Sequence, residues 1–301
     1  MTQKQSQGSP QNTRQNKKIL WVSFFLITFY MVIEVVGGYV TNSLALLADA
    51  GHMLSDSISL GIALLAVTFG AKSADIRHTF GYKRFEILAA VVNGITLLFV
   101  SIYIIYEAIL RIQHPPQVQS LQMIVIATVG LFVNLWVAWM MRSGKDHKQN
   151  LNMRSAYLHV LSDLLGSIGA IIAGICMYYF QWGWADAFAS IIVALLILRS
   201  GYKVTLSSVH ILMEGTPEQV DSIQMEIDLL DHPSVIEIHE LHIWTITSGD
   251  HALTCHVTID EGLTIKDSEK IRDELENIIA RYDIENITIQ FESSKPANMY
   301  Q

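Results

Sequence analysis

The chain has 301 residues, 51% of them hydrophobic and only 16% charged, whereas soluble domains carry about 25% charged residues; a wholly soluble protein is excluded. The net charge of −8 is unevenly spread, with 19 of the 28 acidic residues after residue 209, so a membrane part precedes an acidic soluble part and no nucleic-acid partner is expected. Two cysteines, Cys176 and Cys255, give no disulfide framework.

Residues 1–18 are polar, lack an apolar core, and read as a disordered cytoplasmic tail. Six apolar stretches follow, at approximately 19–40, 44–71, 86–110, 121–141, 153–180 and 184–206. Each is near the about 20 residues that a helix needs to cross a bilayer. They predict an all-α bundle of six transmembrane helices over 19–206. Positive charge orients it. With the N-terminus inside, the inner segments hold fourteen Lys and Arg residues and the outer segments hold Arg111 alone. Both termini are therefore expected in the cytoplasm, with the chain crossing the cell membrane many times.

Beyond residue 209 the pattern changes to a soluble domain over 210–294, followed by a tail at 295–301. Helices are expected at 217–231 and 266–282, and strands at 235–244, 252–260 and 287–291. The order α-β-β-α-β suits a ferredoxin-like α+β domain. About 85 residues is small for an independent core, which favours a homodimer.

The chemistry lies in two copies of one motif. His52-Met-Leu-Ser-Asp56 falls in the second helix and His159-Val-Leu-Ser-Asp163 in the fifth. A spacing of four sets His and Asp on one helical face. Two such helices meeting supply two imidazoles and two carboxylates, the ligand number of a tetrahedral zinc site. Two carboxylates at mid-span are hard to tolerate without a cation or a water-filled path. Asp49 lies three residues before His52 and suits either an acceptor for a ligating imidazole or a helix-packing partner. Glu34, mid-span in the first helix, suits either a proton relay or a polar pairing. No His-Glu-x-x-His occurs, and His239-Glu240-Leu-His242 has the wrong spacing for a metalloprotease.

Leu46-Leu-Ala-Asp-Ala-Gly-His-Met-Leu-Ser-Asp56 and His78-Thr-Phe-Gly-Tyr-Lys-Arg-Phe-Glu-Ile-Leu-Ala-Ala90 resemble the cation diffusion facilitator family, closest to its CzcD-like bacterial branch of zinc, cadmium and cobalt exporters. Gly-Trp-Ala-Asp186, Leu-Met-Glu-Gly-Thr-Pro217 and His239-Glu-Leu-His-Ile-Trp244 extend the likeness. The resemblance implies a homodimeric, proton-coupled metal antiporter, not an enzyme, with His52, Asp56, His159 and Asp163 as transport ligands. It also implies a loop site matched by Asp75 and His78, where a third family histidine is replaced by Tyr82. In the cytoplasmic domain it maps a further metal site onto His239, His256 and Glu292, with Glu285 standing where a family histidine would be. Strand alternation sets His256 opposite Cys255, and His239 on the face of Leu241. Zinc is thus expected both as cargo and as a bound regulator. The competing readings are a manganese or ferrous-iron exporter, which oxygen-rich ligation would suit better, and a membrane-anchored metal sensor.

Overall fold

The computed structural model describes residues 10–69, 76, 78–142, 151–247, 249–260 and 262–293, with side chains described there except at 10–20, 62–69, 137, 138, 140–142 and 151–163. Two compact units emerge, one comprising Met1–Ser73 with Ala89–Thr205, the other Ala74–Leu88 with Leu206–Gln301.

Six long helices arise in chain order: α1 (Pro10–Thr41), α2 (Leu44–Phe69), α3 (Arg84–Gln113), α4 (Ser120–Arg142), α5 (Leu151–Phe180) and α6 (Ala185–Leu212). They bear out the six apolar stretches. The expected tail lies outside the described residues up to position 9, and from Pro10 its backbone is already helical. Among the described residues, Trp21–Thr41, Arg84–Gln113 and Ala185–Leu212 are long and apolar enough to cross a membrane. Helix ends follow local chemistry. Asn42 and Gln181 take left-handed conformations just past α1 and α5, φ 57° and 58°, and Pro115-Pro116 follows α3.

Helix α2 is the centre of the first unit. Leu44 and Ala48 pack with Leu97 and Ile104 of α3 and Val193 and Ile197 of α6. Ala45 and Leu46 pack with Met123 of α4 and Ala170, Ala173 and Met177 of α5. Large apolar side chains such as Phe29, Phe99 and Phe132 point outward instead, as a lipid-facing surface requires.

The second unit is α+β. It contains α7 (Ser222–Leu230), β1 (Glu237–Thr247), β2 (Asp250–Thr258), α8 (Ile265–Ile279), a short 3-10 turn (Ala280–Tyr282) and β3 (Asn286–Glu292). The order α-β-β-α-β is the expected one. The sheet is mixed, with β2 central, antiparallel to β1 and parallel to β3; α8 makes the crossover that a parallel pair needs. Helix α7 starts five residues later than expected, because Val220 N–H closes a turn on the Pro217 carbonyl and Asp221 caps the helix. A Thr264/Asp267 capping box starts α8, and its Ile271, Leu275 and Ile279 meet Leu253, Cys255 and Val257 in the core.

One departure from strict alternation matters. His239 pairs with His256, and His242 with Thr254, so β1 has one more residue than β2 across this stretch. This is a β-bulge. Glu240 absorbs it in a left-handed conformation, φ 51°, which is uncommon for a residue other than glycine. Ile238 and Leu241 therefore both pack on the core, while His239 turns to the open face with His256. The expectation that His239 shares Leu241's face is corrected here: the bulge lies between them.

Candidate metal centre

On the open face of the sheet, His239 Nε2 stands 3.2 Å from Glu292 Oε2, and His256 Nδ1 stands 2.9 Å from Glu292 Oε1. The two imidazoles are 5.2 Å apart at 67°. One ligand atom from each of the three residues lies within 4.8 Å of the others. Ligands held about 2.05 Å from a tetrahedral zinc stand about 3.3 Å apart, so the spacing suits such an ion. A second observation points the same way. His239 Nδ1 is buried without a hydrogen-bond partner, and His239 Nε2 and Glu292 Oε2 face each other at 3.2 Å without hydrogen-bond geometry. Polar atoms in that state are costly, and a cation between them would satisfy His239 Nε2 and the carboxylate together.

Three strands build this centre. His256 sits mid-strand on β2, His239 is delivered by the bulge on β1, and Glu292 is the last residue of β3. Gln290 lies two residues before Glu292 on the same face and donates from Nε2 to Glu292 Oε1 at 3.0 Å. Sequence reading missed Gln290, though its alternation with Glu292 was a usable signal. Glu285 does not join. It precedes the first residue of β3 while Glu292 ends it, and seven residues of strand separate them by roughly 23 Å. Beneath the sheet, burial pushes the Cys255 thiol up to about 11, which keeps it a neutral core residue, not a thiolate ligand.

The expected transport residues fall on α2 and α5. Asp56 and Asp49 are buried, and His52 is half-buried. The side chains of His159 and Asp163 lie outside the described residues, though their backbone is part of α5. Asp49 accepts a hydrogen bond from Ser167 Oγ of α5 at 3.2 Å. It also packs so closely on Gly166 that a Cβ there would meet Asp49 Oδ1 at 2.5 Å. Ala45 and Leu46 touch Ala170 to Met177, so α2 and α5 run antiparallel. Residues 52 and 56 follow Asp49 along one face of α2. Residues 163 and 159 precede Ser167 at four-residue steps along α5. Asp75 lies outside the described residues, and His78 is exposed with its ring 4.4 Å from Tyr82.

Asp186 is a residue whose role sequence reading did not assign. From the first turn of α6 its carboxylate accepts from Ser43 Oγ at 2.6 Å, Leu44 N at 2.7 Å and Ala45 N at 3.2 Å. It thereby satisfies amides that the start of α2 would leave unpaired. Arg111 stands 3.9 Å away and donates to the Asn42 carbonyl.

Residues 20–213 match the family described as cation efflux transmembrane domain, and residues 216–294 match the cation efflux protein cytoplasmic domain. The chain belongs to the cation diffusion facilitator family. It is 56% identical over 286 residues to the cadmium, cobalt and zinc/H(+)-K(+) antiporter of Bacillus subtilis (strain 168), covering 95% of this chain and 92% of that one. It is 42% identical to the metal cation efflux system protein CzcD of Cupriavidus metallidurans, covering 92% and 87%. With the zinc transporter ZitB of Escherichia coli (strain K12) the identity is 41%, covering 92% and 88%. A solved metal-bound C-terminal domain of the CzcD transporter of the same Cupriavidus species aligns at 39% identity and a TM-score of 0.23, covering 24% of this chain and 99% of that one. This cation diffusion facilitator is a CzcD-like, multi-pass membrane protein. The three-residue cluster lies in its cytoplasmic domain.

Proposed function

We propose that this transporter exports zinc, and also cadmium and cobalt, from the cytoplasm in exchange for protons. The transport site is His52 and Asp56 of α2 with His159 and Asp163 of α5. The observation that carries this reading is the Asp49–Ser167 contact. That contact holds two antiparallel helices together one turn from His52 and Asp163, which supports reading the two motifs as one site. Two imidazoles and two carboxylates suit zinc over manganese or ferrous iron. The Bacillus relative is named for cadmium, cobalt and zinc and the Escherichia relative for zinc, which supports this choice of metals.

Proton exchange follows from ligand chemistry. Imidazole and carboxylate bind metal only when deprotonated, so metal and proton occupancy exclude each other. Expelling a divalent ion against 100 mV, inside negative, costs about 4.6 kcal/mol, and each entering proton returns about 2.3 kcal/mol. A pH gradient adds about 1.4 kcal/mol per unit per proton. In this reading both termini are cytoplasmic, the chain acts as a homodimer in the cell membrane, and it is not an enzyme. The His239, His256 and Glu292 centre binds zinc as a regulator, and Asp75 with His78 offers at most a two-ligand loop site. The test is metal uptake by inverted vesicles across a panel of cations with an imposed pH gradient. Asp56→Ala and Asp163→Ala should each abolish flux while membrane expression stays intact. Wild-type flux in either variant would remove that residue from the transport site.

A further inference from the structure

Apart from the transport site and the His239, His256 and Glu292 centre, the second unit holds a cleft of about 900 Å³ between the segment 78–88, His78 included, and the β1 residues 241–246. That size lies within the range of ligand sites, and its walls combine aromatic surface with a few polar groups. Lys83 and Arg84 line it together with one carboxylate, Glu214, and bring N–H donors to its wall. Both cations already touch carboxylates, Lys83 with Asp250 and Arg84 with Glu214. The Arg84–Glu214 pair is exposed on both sides, and such pairs contribute little, while Lys83 uses one of its three donors on Asp250. Arg84 uses one terminal nitrogen on Glu214, leaving further donors of its fork for a phosphate oxygen.

The apolar part of the cleft indicates what the anion is attached to. Phe80, Phe85 and Leu88 line it and are 59%, 64% and 48% exposed. Phe85 and Leu88, three residues apart, share a face at the start of α3. That helix, Arg84–Gln113, is long and apolar enough to cross a membrane. A phosphate from solution would use Lys83 and Arg84 alone. Exposed aromatic and aliphatic side chains beside two cations, at the end of a membrane span, match a headgroup with an acyl chain. We propose that this cleft binds an anionic phospholipid, its phosphate on Lys83 and Arg84 and its acyl chain along Phe85 and Leu88. The proposal rests on the reading that α3 spans the bilayer.

The test uses the full-length protein in detergent, titrated with phosphatidylglycerol, phosphatidylcholine or glycerol 3-phosphate, with bound lipid counted by native mass spectrometry. Phosphatidylglycerol should bind at least tenfold more tightly than phosphatidylcholine. Lys83→Gln with Arg84→Gln should remove that preference, and Leu88→Ser should weaken both lipids. The single Lys83→Gln variant, which leaves the Arg84–Glu214 pair in place, should lose about half of the preference on a logarithmic scale. Unchanged phosphatidylglycerol binding in the double variant would overturn the proposal. So would displacement of phosphatidylglycerol by equal glycerol 3-phosphate, which would make the cleft a soluble-anion site. Co-flotation of the wild type with vesicles tests the membrane reading separately.

Discussion

Replacing Asp186 by alanine removes the only described acceptor for the first two amides of α2, those of Leu44 and Ala45. Both residues are 1% exposed and Asp186 is 2% exposed, so water cannot substitute without opening the bundle. Two orphaned buried N–H groups cost about 1–3 kcal/mol each, and the helix also loses an anion at its positive end, worth up to about 2 kcal/mol. Relief from burying a carboxylate offsets part of this, leaving a net loss of about 3–5 kcal/mol. Asp186→Asn keeps one acceptor oxygen and the shape, so its loss should be about half as large. The consequence reaches function because α2 also carries His52 and Asp56. Thermal unfolding of the detergent-solubilised transporter, with zinc flux in vesicles, should rank wild type, Asp186→Asn and Asp186→Ala in falling order of both stability and flux. An alanine variant that unfolds within a degree of wild type would refute the reasoning.

Three further outcomes are expected. Glu292→Ala should weaken zinc binding at the cytoplasmic centre at least tenfold while leaving measurable flux; complete loss of flux would make that centre obligatory, not regulatory. Glu240→Gly should relieve the left-handed strain and keep zinc affinity within about threefold, whereas Glu240→Val should weaken it, because a β-branched residue resists positive φ; equal affinities by chelator competition would show that the bulge does not aim His239. Asp267 is held below the usual carboxylate range by the Thr264 hydroxyl and backbone N–H. Its contribution is therefore present above about pH 4 and lost as pH falls through its lowered folded value, so Asp267→Asn should reduce amide protection of α8 at neutral pH and match wild type in strong acid.

The parts of the molecule readable in sequence are those fixed by local periodicity. Six apolar runs became α1 to α6, and Ile271, Leu275 and Ile279 at helical spacing became the core face of α8. His239, His256 and Glu292 were nameable as a set through family likeness. What sequence could not supply were features set by a distant partner. The bulge at Glu240 exists only relative to β2, since an extra residue is extra only against the register of its neighbour. Glu285 was a plausible ligand by chemistry and is excluded by its place at the opposite end of β3 from Glu292. Segment 74–88, between two apolar stretches, groups with residues that follow Leu206, a membership that no local pattern encodes.

The cap on α2 also bears on how the chain is made. Leu44 and the carboxylate that satisfies it are 142 residues apart in sequence, with α3, α4 and α5 emerging between them. When α2 first enters the bilayer, its leading amides have no carboxylate to meet and must stay near headgroups and water. They gain their carboxylate acceptor only after α6 arrives. Insertion of the last helix is therefore also the completion of the second, and a nascent chain stalled before Asp186 would hold the helix bearing His52 and Asp56 without its cap.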